Sequence, residues 1–143
     1  MQIDQAVFLR IDTANGYPYL EGTCGESVVV SLLKGHANGW YDLLGFVVLP
    51  TELQILVVLK GKAVRDFLKY LETNVYSQLS SVQPLETAVF DTDFYREKVD
   101  CSEEVYQRLN WMHLAPVRSH LVARSESYPY SSANVQYRPL LAH

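Results

Sequence analysis

Two polar side chains, Glu52 and Gln54, lie inside the most apolar stretch of the sequence and are the first candidates for chemistry. That stretch is LLGFVVLPTELQILVVLK, residues 43–60, and its Val and Ile residues favour a pleated, buried surface. Residues two apart in a strand share a face, so both side chains enter the same side of a sheet. Carboxylate and amide oxygens are ligands that Mg²⁺ accepts. We therefore expect any metal or substrate site at this pair.

As metal ligands, Glu52 and Gln54 make a weak set. They supply one carboxylate and one amide, and neither the histidines nor the two cysteines of the chain add a ligand spacing to them. The alternative is a polar pair that water or neighbouring side chains satisfy. The residues themselves therefore predict no metal ion and no other cofactor, and they leave Glu52 and Gln54 as weak candidates for one.

The composition predicts a globular protein with a single domain, residues 1–143. Hydrophobic residues make up 48% and charged residues 20% of the chain, which is typical of such domains. No apolar run reaches the length of a membrane span, and the N-terminus has no signal-peptide layout. We therefore expect a cytoplasmic protein without a membrane partner. The net charge of −4 does not favour nucleic acid, because phosphate binders usually carry a basic excess.

Hydrophobic periodicity and turn residues predict the elements that position the polar pair. Pro50 and Thr51 divide residues 43–60 into two strands of a β-hairpin, which we place at the centre of the sheet. The order of elements predicts an α+β fold that resembles the ferredoxin-like sandwich, with a central antiparallel sheet and helices packed on one face. The other elements are a strand at 6–13, a short helix at 27–34, a helix at 62–79 that buries Val64, Leu68, Leu71 and Val75, a loop at 80–87, a strand beginning at 87–90, and a helix capped by Ser102 that ends near Leu114.

The C-terminal run NWMHLAPVRSHLVARSESYPYSSA, residues 110–133, resembles the tail of the HUH-superfamily single-tyrosine transposases, in particular the REP-associated branch. That branch carries Tyr-Ile-His-x-Asn-Pro-Val, then Gly-Leu-Val, then Tyr-Pro-Trp-Ser-Ser-Ala. The hairpin GFVVLPTELQIL is similar to the family's Tyr-Val-Val-Met-Pro-Asn-His-Val-His-Leu-Leu. The segments FLRIDTANGYPYLEG and AVFDTDFYREKV also resemble family segments, so the likeness runs nearly from end to end.

The resemblance implies an active site whose chemical positions have all changed. In the family, two His residues and an Asn or Gln hold a divalent cation, Mg²⁺ or Mn²⁺, which polarises a DNA phosphate. A tyrosine then attacks that phosphate. The matching positions here are Glu52 and Gln54 for the His pair, Trp111 for the nucleophile and Ala115 for the third ligand. An indole has only an N–H donor, so the resemblance predicts a degenerate site with no catalytic residue intact.

The resemblance also makes single-stranded or hairpin DNA the expected partner, with basic side chains as its contacts. A basic stripe on a helix is also simply its solvated face, so this alternative stays open. Two acidic residues, Asp91 and Asp93, would repel phosphate in a segment that the family tends to keep basic. The candidate contacts are Arg10, Lys60, Lys62, Arg65, Lys69, Arg96, Arg118 and Arg124.

Three functions remain open at this point. The first is a transposase-derived nucleic-acid-binding protein that has lost nuclease and strand-transfer activity. The second is a protein-interaction or regulatory module on the same fold. The third is an active metal-dependent transposase with unusual ligands, for which Tyr95 or Tyr106 could be a relocated nucleophile. A positive groove beside Glu52 and Trp111 would favour the first function, and a neutral or acidic one the second. The oligomeric state, including a homodimer, stays open.

Overall fold

The chain folds around one four-stranded sheet that is bracketed by helices. A computed structural model describes residues 5–80 and 88–141. No helix among these residues is both long enough and apolar enough to cross a membrane. The elements in chain order are β1 (Ala6–Asp12), α1 (Thr23–Ala37), β2 (Asp42–Leu49), β3 (Glu52–Val58), α2 (Val64–Ser80), β4 (Tyr95–Val99), α3 (Ser102–His113) and α4 (Ala115–Arg118).

The strands lie in the order β2-β3-β1-β4, and each neighbouring pair is antiparallel. With one helix between β1 and β2 and one between β3 and β4, this is the split βαββαβ pattern of ferredoxin-like folds. The predicted α+β class and antiparallel sheet are therefore confirmed. Pro50 and Thr51 connect β2 to β3, as predicted.

Helices cover both faces of the sheet, which corrects the expectation of a single helical face. Leu9 and Ile55 point to the side of α1 and α2, where one apolar cluster forms. Phe8 and Leu56 point to the opposite side, where a second cluster includes Leu109 of α3. Strands β2 and β3 are largely apolar on both faces because both of their faces are buried. The continuous apolar run in β2 and β3 already carried this information.

The hairpin is not central as a unit, because β3 is internal and β2 is the last strand of the sheet. This edge is nevertheless covered by the C-terminal tail, which is the described chain after α4, residues 119–141. The Val48 amide donates to the Tyr130 carbonyl at 2.8 Å, and the Ser132 amide donates to the Phe46 carbonyl at 2.9 Å. The tail therefore takes the part of a further strand, and the open edge that would invite aggregation is covered.

Helix α1 is longer than predicted because two glycines that looked like helix ends lie inside it. A Cβ on Gly25 would be 2.4 Å from the Leu20 carbonyl oxygen. A Cβ on Gly35 would overlap the ring of the buried Tyr41. Both glycines allow neighbouring groups to pack closely against the helix. A glycine in the sequence does not show by itself whether it ends a helix or allows close packing inside one.

Three smaller predictions are also corrected. In α2, Phe67 is buried in the core, whereas Leu68 is only partly buried beside it. The fourth strand begins at Tyr95, and Phe90 forms only an isolated bridge. The N-cap position of α3 is Cys101, whose side chain makes no capping hydrogen bond, and Ser102 is the first helical residue. The predicted loop at 80–87 falls almost wholly outside the described residues.

Candidate functional site

The four positions that the family resemblance assigns to chemistry converge on one cleft between the sheet and the last helices. Glu52 and Gln54 come from β3, Trp111 from α3 and Ala115 from the first position of α4, and all four line a cleft of about 360 Å³. They meet because Glu52 and Gln54 occupy the sheet face that α3 covers. Sequence reasoning placed these residues together, and the structure brings them together.

Glu52 already makes one ion pair and one hydrogen bond. Its Oε1 lies 3.2 Å from Nε of Arg10, and its Oε2 accepts a hydrogen bond from Nε2 of Gln54 at 2.5 Å. Arg10 is directly opposite Gln54 on the neighbouring strand β1, which puts both side chains on one face. Gln54 is 2% exposed, and its Oε1 has no hydrogen-bond partner among the described residues.

The side chains of this cleft do not supply the set of ligands that a divalent cation needs. The Glu52 carboxylate is shared between a guanidinium and an amide, and Ala115 offers only a methyl group where a third ligand is needed. Within residues 5–80 and 88–141, no three His, Cys, Asp or Glu side chains cluster as a metal site would require. The unpartnered Oε1 of Gln54 is one oxygen ligand, and a hard cation needs several.

Trp111 forms the wall of the cleft opposite the sheet. Its side chain is 41% exposed, so it does not fill the cleft as a buried plug would. The guanidinium carbon of Arg118 lies 4.3 Å from the indole centroid, and Arg118 Nη1 donates to the Trp111 carbonyl at 2.8 Å. Arg108 is 5.2 Å from the same ring. The cleft therefore combines an accessible aromatic ring with guanidinium groups.

Neither tyrosine considered as a relocated nucleophile lines this cleft. Tyr95 lies on the same sheet face, opposite Arg10, and its hydroxyl donates to the Glu97 carboxylate at 2.6 Å. That hydrogen bond raises the pKa of Tyr95, which keeps the hydroxyl protonated and a poor nucleophile. Tyr106 is exposed on α3.

The predicted basic contacts are spread over the molecule: Arg118 lines the cleft, Arg10 adjoins it through its ion pair with Glu52, and the other six candidates do not line it. Lys60 pairs with Asp42 at 3.2 Å, and Arg124 pairs with Glu126 at 2.5 Å. Arg96 lies on the opposite side of the sheet, on the face of Leu9. Lys62 lies just before α2, and Arg65 and Lys69 lie within it at exposed positions.

One residue of the site was missed by sequence reasoning. Arg108 pairs with Glu97 at 2.7 Å and also covers the rings of Phe8 and Trp111. Its position three residues before Trp111 on the same helix was the available signal, because such residues are neighbours. With Arg108 included, the charges beside the cleft balance: Arg10, Arg108 and Arg118 face Asp12, Glu52 and Glu97.

His113 belongs to the scaffold of the site. Its Nε2 lies 2.7 Å from Oγ of Ser132, which also accepts the Phe46 amide at 3.0 Å. These bonds join the end of α3, the edge strand β2 and the tail. Tyr128 adds a further link, since its hydroxyl donates to the Val48 carbonyl at 2.6 Å.

Comparisons with known proteins identify the fold. No protein-family profile and no curated protein match the chain. A structure of a REP-associated tyrosine transposase bound to a REP hairpin is similar over 97% of this chain and 83% of that one, with a TM-score of 0.77 and 14% identity. A candidate transposase from Deinococcus radiodurans R1 is similar over 74% of this chain and 86% of that one, with a TM-score of 0.54 and 15% identity. The chain therefore has the fold of a REP-associated tyrosine transposase, as its sequence motifs indicated.

Proposed function

We propose that this chain is a transposase-derived nucleic-acid-binding protein that has lost the nuclease and strand-transfer activity. One observation carries the proposal: an accessible indole, Trp111, stands in the cleft where the family resemblance puts the nucleophile, with the Arg118 guanidinium against it. An indole cannot attack phosphorus. It can stack on an unpaired base, and stacking of this kind is a main source of affinity for single strands.

The loss of strand transfer follows from the same cleft. Transfer needs a nucleophile and a Lewis acid within reach of one phosphate. The cleft holds an indole in place of the nucleophile, and the Glu52 carboxylate is already taken by Arg10 and Gln54. We infer that the partner is single-stranded or hairpin DNA. We also propose that residues 1–143 form a single domain and that the protein acts in the cytoplasm. A homodimer stays a prediction.

A second candidate function is a protein-interaction or regulatory module. It is favoured by the charge balance at the cleft, where Arg10 pairs with Glu52 and Arg108 pairs with Glu97. A DNA-binding groove usually has a clear excess of positive charge. Under this alternative, the chain would bind no single-stranded DNA at all.

The test is a gel-shift titration with a DNA hairpin that carries a single-stranded 5′ extension, with the fully paired hairpin as its control. We expect a shift that depends on the extension. The same mixtures, supplied with Mg²⁺ or Mn²⁺ and then denatured, should show no covalent protein–DNA adduct. No shift with either probe would favour the interaction module. An adduct that disappears in Tyr95→Phe or Tyr106→Phe would show that the nucleophile has moved.

A further inference from the structure

Where the family resemblance implies a divalent cation, the guanidinium of Arg10 lies against Glu52 instead. Arg10 reaches across from β1 and puts its Nε 3.2 Å from Glu52. Its side chain is 46% exposed, and the Asp12 carboxylate lies 3.9 Å from the same Nε. Because a guanidinium is always charged and its terminal N–H groups point away from the stem, Arg10 can hold Glu52 and a second anion together.

We propose that Arg10 has replaced the divalent cation of this cleft and makes the binding of an unpaired nucleotide independent of any metal ion. The inference rests on the proposed function and adds the means of phosphate recognition. A phosphate oxygen accepts from the terminal nitrogens of Arg10, while the base lies against Trp111 beside Arg118. Guanidinium groups suit phosphate because their parallel N–H donors match two oxygens.

The buried acceptor of Gln54 points to the same class of ligand. Its Nε2 donates to Glu52, and its Oε1, which can only accept, has no partner among the described residues. An unsatisfied buried acceptor is costly, and a ligand that brings an N–H or O–H group into the cleft would remove that cost. A DNA nucleotide offers both an anionic phosphate and N–H donors on its base.

A cation placed on Glu52 would have to compete with Arg10. It would meet a positive guanidinium at 3.2 Å from the carboxylate and an amide that turns its NH₂ toward the other oxygen. A guanidinium and a divalent cation bound to the same carboxylate repel each other, and more strongly where the carboxylate is mostly buried, as Glu52 is. The geometry therefore makes the guanidinium and a bound Mg²⁺ or Mn²⁺ mutually exclusive at Glu52.

The experiment measures the affinity of the full chain for a fluorescein-labelled DNA hairpin with a single-stranded extension, by anisotropy. Titrations are made in Mg²⁺ and in EDTA at equal ionic strength. The wild type should bind equally in the two buffers, within about twofold. Arg10→Gln should weaken binding about tenfold in both, the loss expected for one charge-assisted phosphate contact. Arg96→Gln is the matched control, because it removes the same charge from the opposite face of the sheet and should change affinity by less than about twofold.

Several outcomes would overturn the inference. Binding that is lost in EDTA would show that a metal ion is required, although the proposed function would stand. Equal effects of Arg10→Gln and Arg96→Gln would remove Arg10 from the site. One Mn²⁺ bound per chain by electron paramagnetic resonance, and lost in Glu52→Gln, would show that the cation site survives. No binding by the wild type in either buffer would overturn the proposed function, and this inference with it.

A folding defect would be recognised separately. Circular dichroism of Arg10→Gln shows whether the variant keeps its fold. Arg10→Lys, which retains the charge but not the paired N–H donors, is the second variant and should bind with intermediate affinity. Wild-type affinity in Arg10→Lys would mean that the charge acts only at a distance.

Discussion

Trp111 and Trp40 are the two tryptophans of the chain, and they provide a matched pair for testing recognition at the level of single residues. Trp111 is 41% exposed at the cleft, and Trp40 is 44% exposed on the far side of the sheet, where it packs edge-on against Tyr70. We expect Trp111→Ala to weaken binding of single-stranded DNA about tenfold, since stacking on an aromatic side chain contributes about 1–3 kcal/mol per base. Trp40→Ala should leave the affinity unchanged.

Fluorescence can report the same contact directly. In a Trp40→Phe background, Trp111 is the sole indole, so a stacked base should quench the remaining emission on titration with single-stranded DNA. Quenching without a loss of affinity in Trp111→Ala would mean that the base passes near the ring and does not rest on it. Equal losses in the two alanine variants would place the DNA elsewhere.

The parts of the site that could be predicted from the sequence are those set by interactions between residues close together in the chain. The shared face of Glu52 and Gln54 follows from strand alternation, which is a property of the sequence. The pairing of Arg10 with Glu52 depends on the register between β1 and β3, and no short-range pattern encodes that register. For the same reason, the sequence placed eight basic residues as equal candidates, whereas the fold brings Arg10 and Arg118 to the cleft.

At the scale of elements, the hydrogen bonds of Ser132 connect α3 to the edge strand β2 and stabilise the position of α3 over the sheet. Its Oγ accepts the buried Phe46 amide and lies 2.7 Å from His113. We expect Ser132→Ala to lower the free energy of unfolding by about 1–3 kcal/mol, because it leaves the Phe46 amide buried without an acceptor. Urea denaturation measures the change. Ser127→Ala, at an exposed position of the tail, is the control. If it lowered the free energy of unfolding as much as Ser132→Ala, the hydrogen bonds of Ser132 would not be the cause of the loss.

The docking of the tail on β2 should make stability depend on alkaline pH. Burial raises the pKa of Tyr128 to about 12, whereas the unfolded chain has a tyrosine pKa near 10. Below pH 10 both states are protonated, and between pH 10 and 12 only the unfolded state releases the proton. The free energy of unfolding should therefore fall in this window, by about 2 kcal/mol from Tyr128.

The comparison variant for this window is Tyr128→Phe. It loses the hydrogen bond to the Val48 carbonyl and should be about 1 kcal/mol less stable at neutral pH. It should also lose less stability than the wild type between pH 10 and 12, measured by urea denaturation at each pH. Identical slopes for the two proteins would show that Tyr128 is not buried against β2 in solution.

Element types were predictable where the pattern is periodic, and boundaries were not where packing decides them. The hairpin and α2 follow from apolar spacing. The start of α1 depends on the contact of Gly25 with Leu20, which is invisible in the local sequence. The apolar run of β2 and β3 indicates that both faces of the sheet are buried, but it does not specify which helix covers which face, and α3 covers the second one.

At the scale of the whole molecule, charge separates the two candidate functions. The chain carries a net charge of −4, and the groups beside the cleft cancel one another in pairs. Long-range attraction for DNA is therefore weak, and any affinity must come from stacking and from a few direct contacts. The cations of α2 cannot add to it, because they lie across the sheet from the cleft.

The dependence of DNA affinity on salt measures how many cations take part. For single strands, log K falls with log salt concentration by about 0.7 per phosphate neutralised. Contacts from Arg10 and Arg118 alone predict a slope of about −1.4, whereas all eight basic candidates acting together would give about −5.6. Affinity is measured by anisotropy in a series of NaCl concentrations, and Arg118→Gln should make the slope shallower by about 0.7. Lys69→Gln is the control from the opposite face and should leave the slope unchanged. A steep slope that responds to Lys69→Gln would move the DNA to α2 and leave the cleft free for another partner.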